Sequence, residues 1–146
     1  TNMLGMFLET EVFNQPLNDW DVSNVTNLNG MFELAKVFNQ PLNKWKVGSV
    51  TDMKLIFRRA YAFNQPLNDW DVSSATDMTE MFRGAKVFNQ PLNNWNVSNV
   101  TSMDTMLHEA SAFTNQDLSS WNVNKVTKHG SFLTLSGGHN TEPNWK

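Results

Sequence analysis

The chain has 146 residues, of which 40% are hydrophobic and 12% aromatic, and its formal net charge is −3 at pH 7. Six Trp and ten Phe argue against a disordered chain, since disordered segments are poor in aromatic residues, and the negative charge gives no basic footprint for nucleic acid. The absence of Cys excludes disulfides, thiolate zinc sites and a cysteine nucleophile, and no apolar run approaches the roughly 20 residues of a transmembrane helix.

A 25-residue repeat organises the chain. Copies of the sequence FNQPLN begin at Phe13, Phe38, Phe63, Phe88 and, in a degenerate form with Thr114 added, at Phe113. Self-similarity at this period predicts a solenoid. The predicted single domain, 1–146, has a partial repeat at 1–12, repeats at 13–37, 38–62, 63–87, 88–112 and 113–138, and a C-terminal cap or tail at 126–146. Because the chain opens inside a repeat, we expect a fragment of a longer array.

Each repeat is predicted to begin with a short strand. Trp20 and Val22 alternate with polar residues, which is the period of two of a strand with one buried face. Pro16 precedes this segment, as expected for a residue that lacks a backbone N–H.

A short helix is predicted to follow the strand. Leu28, Met31, Phe32 and Ala35 have the i, i+3, i+4, i+7 spacing of one helix face, and Thr26 is placed to cap that helix. The predicted fold class is therefore an α/β repeat solenoid. It would be a leucine-rich-repeat-like right-handed coil, with a parallel sheet of short strands on one face and short helices on the other.

Asn-Gln pairs recur beside the first Phe of each repeat, at 14–15, 39–40, 64–65, 89–90 and 115–116. Stacked amides can donate and accept hydrogen bonds from one repeat to the next and satisfy the backbone of a tight turn. The alternative is a row of amides that binds a ligand. The constant position beside a Phe expected to be buried favours the structural ladder.

The residues FNQPLN, the segment WDVSNVT at 20–26 and the pair Met31-Phe32 resemble the repeats of BspA-like leucine-rich-repeat surface proteins. The resemblance covers residues 1 to about 133, with departures such as Lys46, Gly48 and Leu107. It implies a cell-surface or secreted location and a role in adhesion and protein interaction.

The outward positions of the predicted strand face are the candidate binding surface. The selected residues are Asp19, Asp21, Lys44, Lys46, Asp69, Asp71, Asn94 and Asn96. Stacking the repeats would place the two lysines between two pairs of aspartates, where opposite charges on neighbouring strands stabilise each other. One interpretation is a charge ladder that only orders the surface, and the other is a mixed-charge recognition patch.

No catalytic residue, metal ligand or cofactor is predicted. Asp19, Asp21 and Asn24 alternate like calcium ligands, but they lack the loop Gly and the downstream bidentate Glu of a calcium loop. His108, His129 and His139 are not spaced with carboxylates or a nucleophile in a catalytic arrangement. We therefore expect a protein that is not an enzyme.

Two functions remain open. The first is an adhesion or interaction module whose polar strand face binds a protein or glycan ligand at a cell surface. The second is a passive spacer or stalk that displays other domains. A chain that starts within a repeat also exposes an open core end, which allows end-to-end self-association.

The predicted inward Trp stack can be tested with Trp45→Ala. Removing a buried indole leaves a cavity, and the expected loss of unfolding free energy is roughly 3–5 kcal/mol. A thermal or denaturant melting curve measures this loss, and a curve like that of the wild type would contradict an inward stack.

Overall fold

The computed structural model describes residues 1–145. Successive repeats lie side by side and in register, joined by parallel bridges between single residues. These bridges are Asn2–Asn27, Asn27–Asp52, Asp52–Asp77, Asp77–Ser102 and Ser102–Lys128, and a sixth joins Asp117 to Thr141. Within residues 1–145 there is no helix and no strand longer than such an isolated bridge. The chain is a stack of turns.

The predicted α/β solenoid, with short helices and a parallel sheet of short strands, is therefore wrong. An α-helix needs each N–H to donate to the carbonyl four residues back. Here Met31 donates to Leu28, only three residues back, at 3.1 Å. The alternate N–H groups donate to carbonyls outside their own repeat. Leu28, Gly30, Phe32 and Leu34 donate to the carbonyls of Asp52, Lys54, Ile56 and Arg58 in the next repeat, at 3.1, 2.9, 2.9 and 2.8 Å.

Left-handed residues shape this ribbon of turns. Gly30 has φ 63° and Leu34 has φ 57°, which suits the third position of type II turns spanning 28–31 and 32–35. A right-handed helix cannot contain such residues. Turns of this kind bring two residues inward and then two outward, so that Met31 and Phe32 are fully buried together. Over eight residues this period of four resembles the 3.6-residue period of a helix, which explains the wrong prediction.

The predicted strand is also replaced by turns. Trp20 N donates to the Leu17 carbonyl at 3.0 Å, and Val25 N donates to the Val22 carbonyl at 2.9 Å. The segment between the two turns forms no ladder with its neighbours. Thr26 is not a helix cap, because its N–H and its hydroxyl both donate to the carbonyl of Thr1, at 2.9 and 3.2 Å.

Aromatic rows fill the core between the turns. Phe32 stacks on Phe57 at 5.7 Å between ring centroids, and Phe38 stacks on Phe63 at 6.1 Å. Trp45 stacks on Trp70 at 6.4 Å. The inward Trp stack is confirmed for Trp45, Trp70, Trp95 and Trp121, which are 3–4% exposed. The indole N–H of Trp45 donates to the Leu17 carbonyl of the preceding repeat at 2.9 Å, as its equivalents do in later repeats.

The predicted amide ladder is confirmed. Asn14 Oδ1 accepts the N–H of Asn39 at 3.0 Å and the Nε2 of Gln40 at 3.2 Å. The pattern continues from Asn39 to Asn64 and Gln65, and from Asn64 to Asn89 and Gln90. In the fifth repeat the added Thr114 donates its N–H to Asn89 Oδ1 at 3.1 Å. The amides therefore hold neighbouring turns in register.

The C-terminal segment folds back over the last repeat. Asn140 donates to the carbonyls of Phe113 and Gly137 at 2.8 Å. Gly137 lies against the Phe113 carbonyl, where a Cβ would overlap the oxygen. The Trp145 ring stacks on His129 at 4.2 Å and meets Phe132 edge-on at 5.1 Å. The tail thus covers part of the last aromatic row.

Gly30→Ala tests the ribbon of turns. The Ala must adopt φ near 63°, and its Cβ would lie 3.3 Å from Glu33 Oε2. The expected loss of unfolding free energy is about 1–2 kcal/mol, measured by chemical denaturation. Gly138→Ala is the matched control, because its Cβ would meet nothing within 4 Å. Equal stability of the two variants would contradict a left-handed requirement at residue 30.

Candidate functional site

A groove lies where the first two full repeats meet at their polar turns. It has a volume of about 370 Å³ and is lined by Asn18, Asp19, Trp20, Asp21, Val22, Ser23, Lys44 and Lys46. We call it the Asp–Lys groove. The Leu17–Trp20 turn and the Val22–Val25 turn form one wall. Four of the eight predicted binding residues therefore come together here.

One ion pair crosses this groove. Lys44 Nζ lies 2.7 Å from Asp19 Oδ1, and both side chains are largely exposed, at 64% and 87%. A pair this exposed contributes about 0–1 kcal/mol. The backbone of Lys44 is fixed more firmly than its side chain, because its N–H donates to Asn18 Oδ1 at 3.0 Å. The backbone of Lys44 is therefore held in place by a hydrogen bond, whereas its ammonium group is largely exposed to solvent.

Asp21 and its equivalents brace the second turn of each repeat. Asp71 Oδ1 accepts the hydroxyl of Ser73 at 2.6 Å and its N–H at 3.1 Å, which lowers the pKa of Asp71. Hydrogen bonding from Ser23 likewise lowers the pKa of Asp21, and Lys46 adds a smaller lowering. These are Asx turns, in which the side chain hydrogen-bonds its own backbone two residues on. The Asp-Val-Ser spacing was a signal for this role, and the sequence reasoning missed it.

Lys44 pairs with one side only, and within residues 1–145 Lys46 forms no ion pair. Asp71 lies over Gly48 instead, where its Oδ2 is 3.0 Å from the position that a Cβ would take. Within residues 1–145 neither Asp69 nor Asp71 forms an ion pair with a lysine. The predicted ladder with aspartates on both sides of the lysines is therefore wrong. Because Gly48 has no side chain, the Asp71 carboxylate can lie over it while accepting hydrogen bonds from Ser73.

The remaining predicted residues lie further along the same face. The N–H of Asn94 donates to Asn68 Oδ1 at 3.0 Å, and Asn96 Oδ1 accepts the N–H of Ser98 at 3.2 Å. Both contacts repeat those of Lys44 and Asp21. Asn94 and Asn96 are thus built into the turns and do not belong to the Asp–Lys groove.

A second polar groove was not foreseen from the sequence. It has a volume of about 260 Å³ and is lined by Asp77, Thr79, Thr101, Ser102, Asp104, Thr127 and Lys128. The hydroxyls of Thr79 and Ser102 bond each other at 2.8 Å, and Asp104 Oδ1 accepts the N–H of Gly130 at 2.6 Å.

Comparison with known protein families shows which family the chain belongs to. Residues 1–86 and, in a second match, residues 44–145 correspond to the family described as "Mycoplasma protein of unknown function, DUF285". The chain belongs to the DUF285 family. No curated protein and no solved structure matches the chain. The match supports a repeat protein, and it does not confirm the BspA-like leucine-rich-repeat family.

Partly buried arginine and glutamate side chains of the DUF285 chain form ion pairs with each other. Arg58 Nη1 lies 2.5 Å from Glu33 Oε1, and Arg83 Nη1 lies 3.1 Å from Glu80 Oε2. Arg58 Nε is 2.8 Å from Glu80 Oε2, although its N–H is not aligned to donate a hydrogen bond. Arg58 pairs with residues of both neighbouring repeats, and Arg83 pairs within its own repeat. These side chains are therefore less available to a partner than those of the Asp–Lys groove.

Residues 1–145 of the DUF285 chain contain no group of three or more His, Cys, Asp or Glu side chains placed to hold a metal ion. No helix long and apolar enough to span a membrane occurs in this part of the chain.

Ser73→Ala tests the Asx turn. Losing the hydroxyl donor should raise the pKa of Asp71 toward its ordinary value, as measured by NMR titration of the carboxyl carbon. Because the folded pKa is lowered, this turn adds stability above the unfolded pKa of Asp and loses it as pH falls through the folded pKa. The variant should therefore lose less stability on acidification than the wild type.

The matched control is Ser98→Ala, whose partner Asn96 does not titrate. It should leave the titration of Asp71 unchanged. An unaltered Asp71 pKa in Ser73→Ala would show that the hydroxyl does not stabilise the carboxylate.

Proposed function

We propose that the chain is a non-enzymatic interaction module, at a cell surface or secreted, that binds a protein or glycan partner at the Asp–Lys groove. The observation that carries this proposal is the meeting of two aspartates and two lysines in one groove. The surface location is supported by the resemblance of the FNQPLN repeat to BspA-like surface proteins.

Lys46 is the charge most available to a partner. Its position holds Asp21, Asp71, Asn96 and Asn122 in the other repeats, where each side chain closes its own turn. Lys cannot accept the N–H two residues on, so its side chain is released from that structural role. Within residues 1–145 the Lys46 ammonium forms no ion pair, unlike that of Lys44. A departure from the repeat thus creates a free donor beside Asp21.

The openness of the groove favours binding over catalysis. Active sites strengthen their electrostatics by excluding water, whereas the Asp19 and Lys44 side chains are mostly exposed. Complementary charges on such an open surface orient a partner and raise its rate of association. Mixed-sign charges of this kind suit a polar or zwitterionic partner surface.

A passive spacer is the second candidate. The observation that favours it is the continuity of the core: one Phe row runs from Phe13 to Phe113 with ring separations of 6.0–6.2 Å. Uninterrupted rows of this kind make a stiff unit that could hold another domain at a fixed distance.

Binding screens on a glycan array and on immobilised matrix proteins separate the two functions. We expect the wild type to bind at least one partner, and Lys44→Gln with Lys46→Gln to reduce binding at least tenfold, measured by biolayer interferometry. The matched control, Lys125→Gln with Lys128→Gln, removes the same charge from outside the groove and should bind normally. Silence of the wild type across both panels would favour the spacer, and equal loss in both variants would refute the groove.

A further inference from the structure

We propose that the second polar groove binds a free α-amino acid in its zwitterionic form. This groove shares no residue with the Asp–Lys groove, and the proposal is independent of the function proposed above. It rests on Thr79 and Ser102, two departures from the preceding repeat. They remove one ammonium group and one carboxylate from positions where the preceding pair of repeats has both.

One row of side chains shows what an unaltered repeat places at the groove. Parallel bridges put the members of this row side by side, and they are Asn2, Asn27, Asp52, Asp77, Ser102 and Lys128. In each member before Ser102, a side-chain oxygen accepts the N–H of the residue two positions on, at 2.8–3.1 Å. An Asn or Asp oxygen is therefore the regular partner of this N–H group.

Ser102 interrupts the row. Its hydroxyl forms a hydrogen bond with the Thr79 hydroxyl at 2.8 Å, and the N–H of Asp104, two positions on, makes no hydrogen bond within residues 1–145. Backbone N–H groups away from bulk water nearly always have a partner. One of the two hydroxyl protons is also left to donate, because a single bond between the hydroxyls uses only the other. The groove therefore has two donors where the regular repeat supplies an acceptor.

The preceding pair of repeats shows how a positive charge completes the row. The Lys54 ammonium lies between two carboxylates, 3.6 Å from Asp52 Oδ2 and 3.9 Å from Asp77 Oδ2. In the next repeat Thr79 takes the position of Lys54 and brings no charge. Between Asp77 and Ser102 the row thus lacks both an ammonium group and a second carboxylate.

A zwitterion supplies both missing groups. Its carboxylate accepts the Asp104 N–H and faces the ammonium of Lys128, which lines the groove from the next repeat. Its ammonium group lies between Asp77 and Asp104, as that of Lys54 lies between two carboxylates. Asp104 Oδ1 already accepts the N–H of Gly130 at 2.6 Å, and its Oδ2 faces the ligand.

The charges of the groove select against simpler ions. A plain carboxylate would gain Lys128 but would be repelled by Asp77 and Asp104, and a plain ammonium ion would be repelled by Lys128. A ligand with one charge of each sign avoids both repulsions. The α-amino and α-carboxylate groups of an amino acid are joined through a single carbon, so they suit charges on neighbouring repeats.

The size of the groove fits one amino acid. Its volume is about 260 Å³, which is below the roughly 300–1,000 Å³ of pockets that hold drug-sized ligands. The lining is polar, so the side chain of the ligand faces solvent, and glycine and alanine should bind alike. Because ion pairs in an open groove contribute little, we expect affinity in the millimolar range.

The backbone amide of Asp104 is the direct reporter of binding. In an NMR titration of the isotope-labelled protein with glycine, the Asp104 amide resonance should move downfield and saturate, while that of Lys44 stays in place. Acetate and methylammonium, each carrying one of the two charges, should bind at least tenfold more weakly at equal ionic strength. Acetate binding as tight as that of glycine would overturn the zwitterion in favour of an anion site, and equally tight methylammonium binding would overturn it in favour of a cation site.

Ser102→Asn tests the position of the ligand without disturbing the fold. The variant gives the row the side chain that Asn27 has, whose oxygen accepts the N–H two positions on at 2.8 Å. It should bind glycine at least tenfold more weakly than the wild type, and its stability in chemical denaturation should be equal or higher. Ser74→Asn is the matched control, because Asn24 and Asn99 hold that position in other repeats and Ser74 lies outside the groove.

Two further results would overturn the proposal. The first is a wild-type Asp104 amide that shows no saturable shift with glycine or alanine. The second is unchanged glycine binding in Ser102→Asn, which would place the ligand away from the interrupted row. Neither result bears on the Asp–Lys groove, whose test uses variants of Lys44 and Lys46.

Discussion

The hydrogen bond from one repeat to the next is the constraint on which the whole structure depends. In the ribbon of turns, every second N–H donates to the neighbouring repeat, and the N–H groups between them mostly close turns within their own repeat. This division satisfies the backbone without a helix or an extended sheet, as buried polar groups require. It also keeps the ribbons in register even where a repeat gains a residue: across the repeat with the added Thr114, Met103 still donates to the Lys128 carbonyl at 2.7 Å.

A fixed register places equivalent residues of neighbouring repeats directly beside each other. Such contacts stabilise the fold for some side chains and destabilise it for others. Phe, Trp and Asn gain from meeting their own kind, through the stacked rings and the ladder from Asn14 to Asn89. Equal charges repel. Glu33 meets an opposite charge in Arg58, and the neighbours Asp52 and Asp77 share Lys54. The departures from the repeat are therefore informative. Lys46 interrupts the row of turn-closing Asp and Asn residues, and Gly48 interrupts the row of Ser residues whose N–H groups they accept. Lys46 does so in the Asp–Lys groove.

Part of the candidate site could be predicted and part could not. The meeting of Asp19, Asp21, Lys44 and Lys46 followed from stacking repeats by 25 residues, because position in the repeat alone decides which residues are neighbours. The hydrogen-bond partner of Asp71 could not be predicted from the spacing of the repeats. A carboxylate can pair with a lysine of the next repeat or accept hydrogen bonds from a serine two residues on, and the nearer serine is favoured because little chain entropy is lost.

The sequence by itself determined the repeat, its period, the buried aromatic rows, the amide ladder and the residues that share the polar face. Each of these depends on periodic spacing, which a linear sequence records directly. Only the tertiary structure decided the backbone. Leu28, Met31, Phe32 and Ala35 are equally consistent with a helix or with consecutive turns, since both bring them to one side. Consecutive turns form because N–H groups donate to residues 24 positions away and because residues such as Leu34 adopt a left-handed conformation. Neither property can be predicted from the local preferences of the sequence.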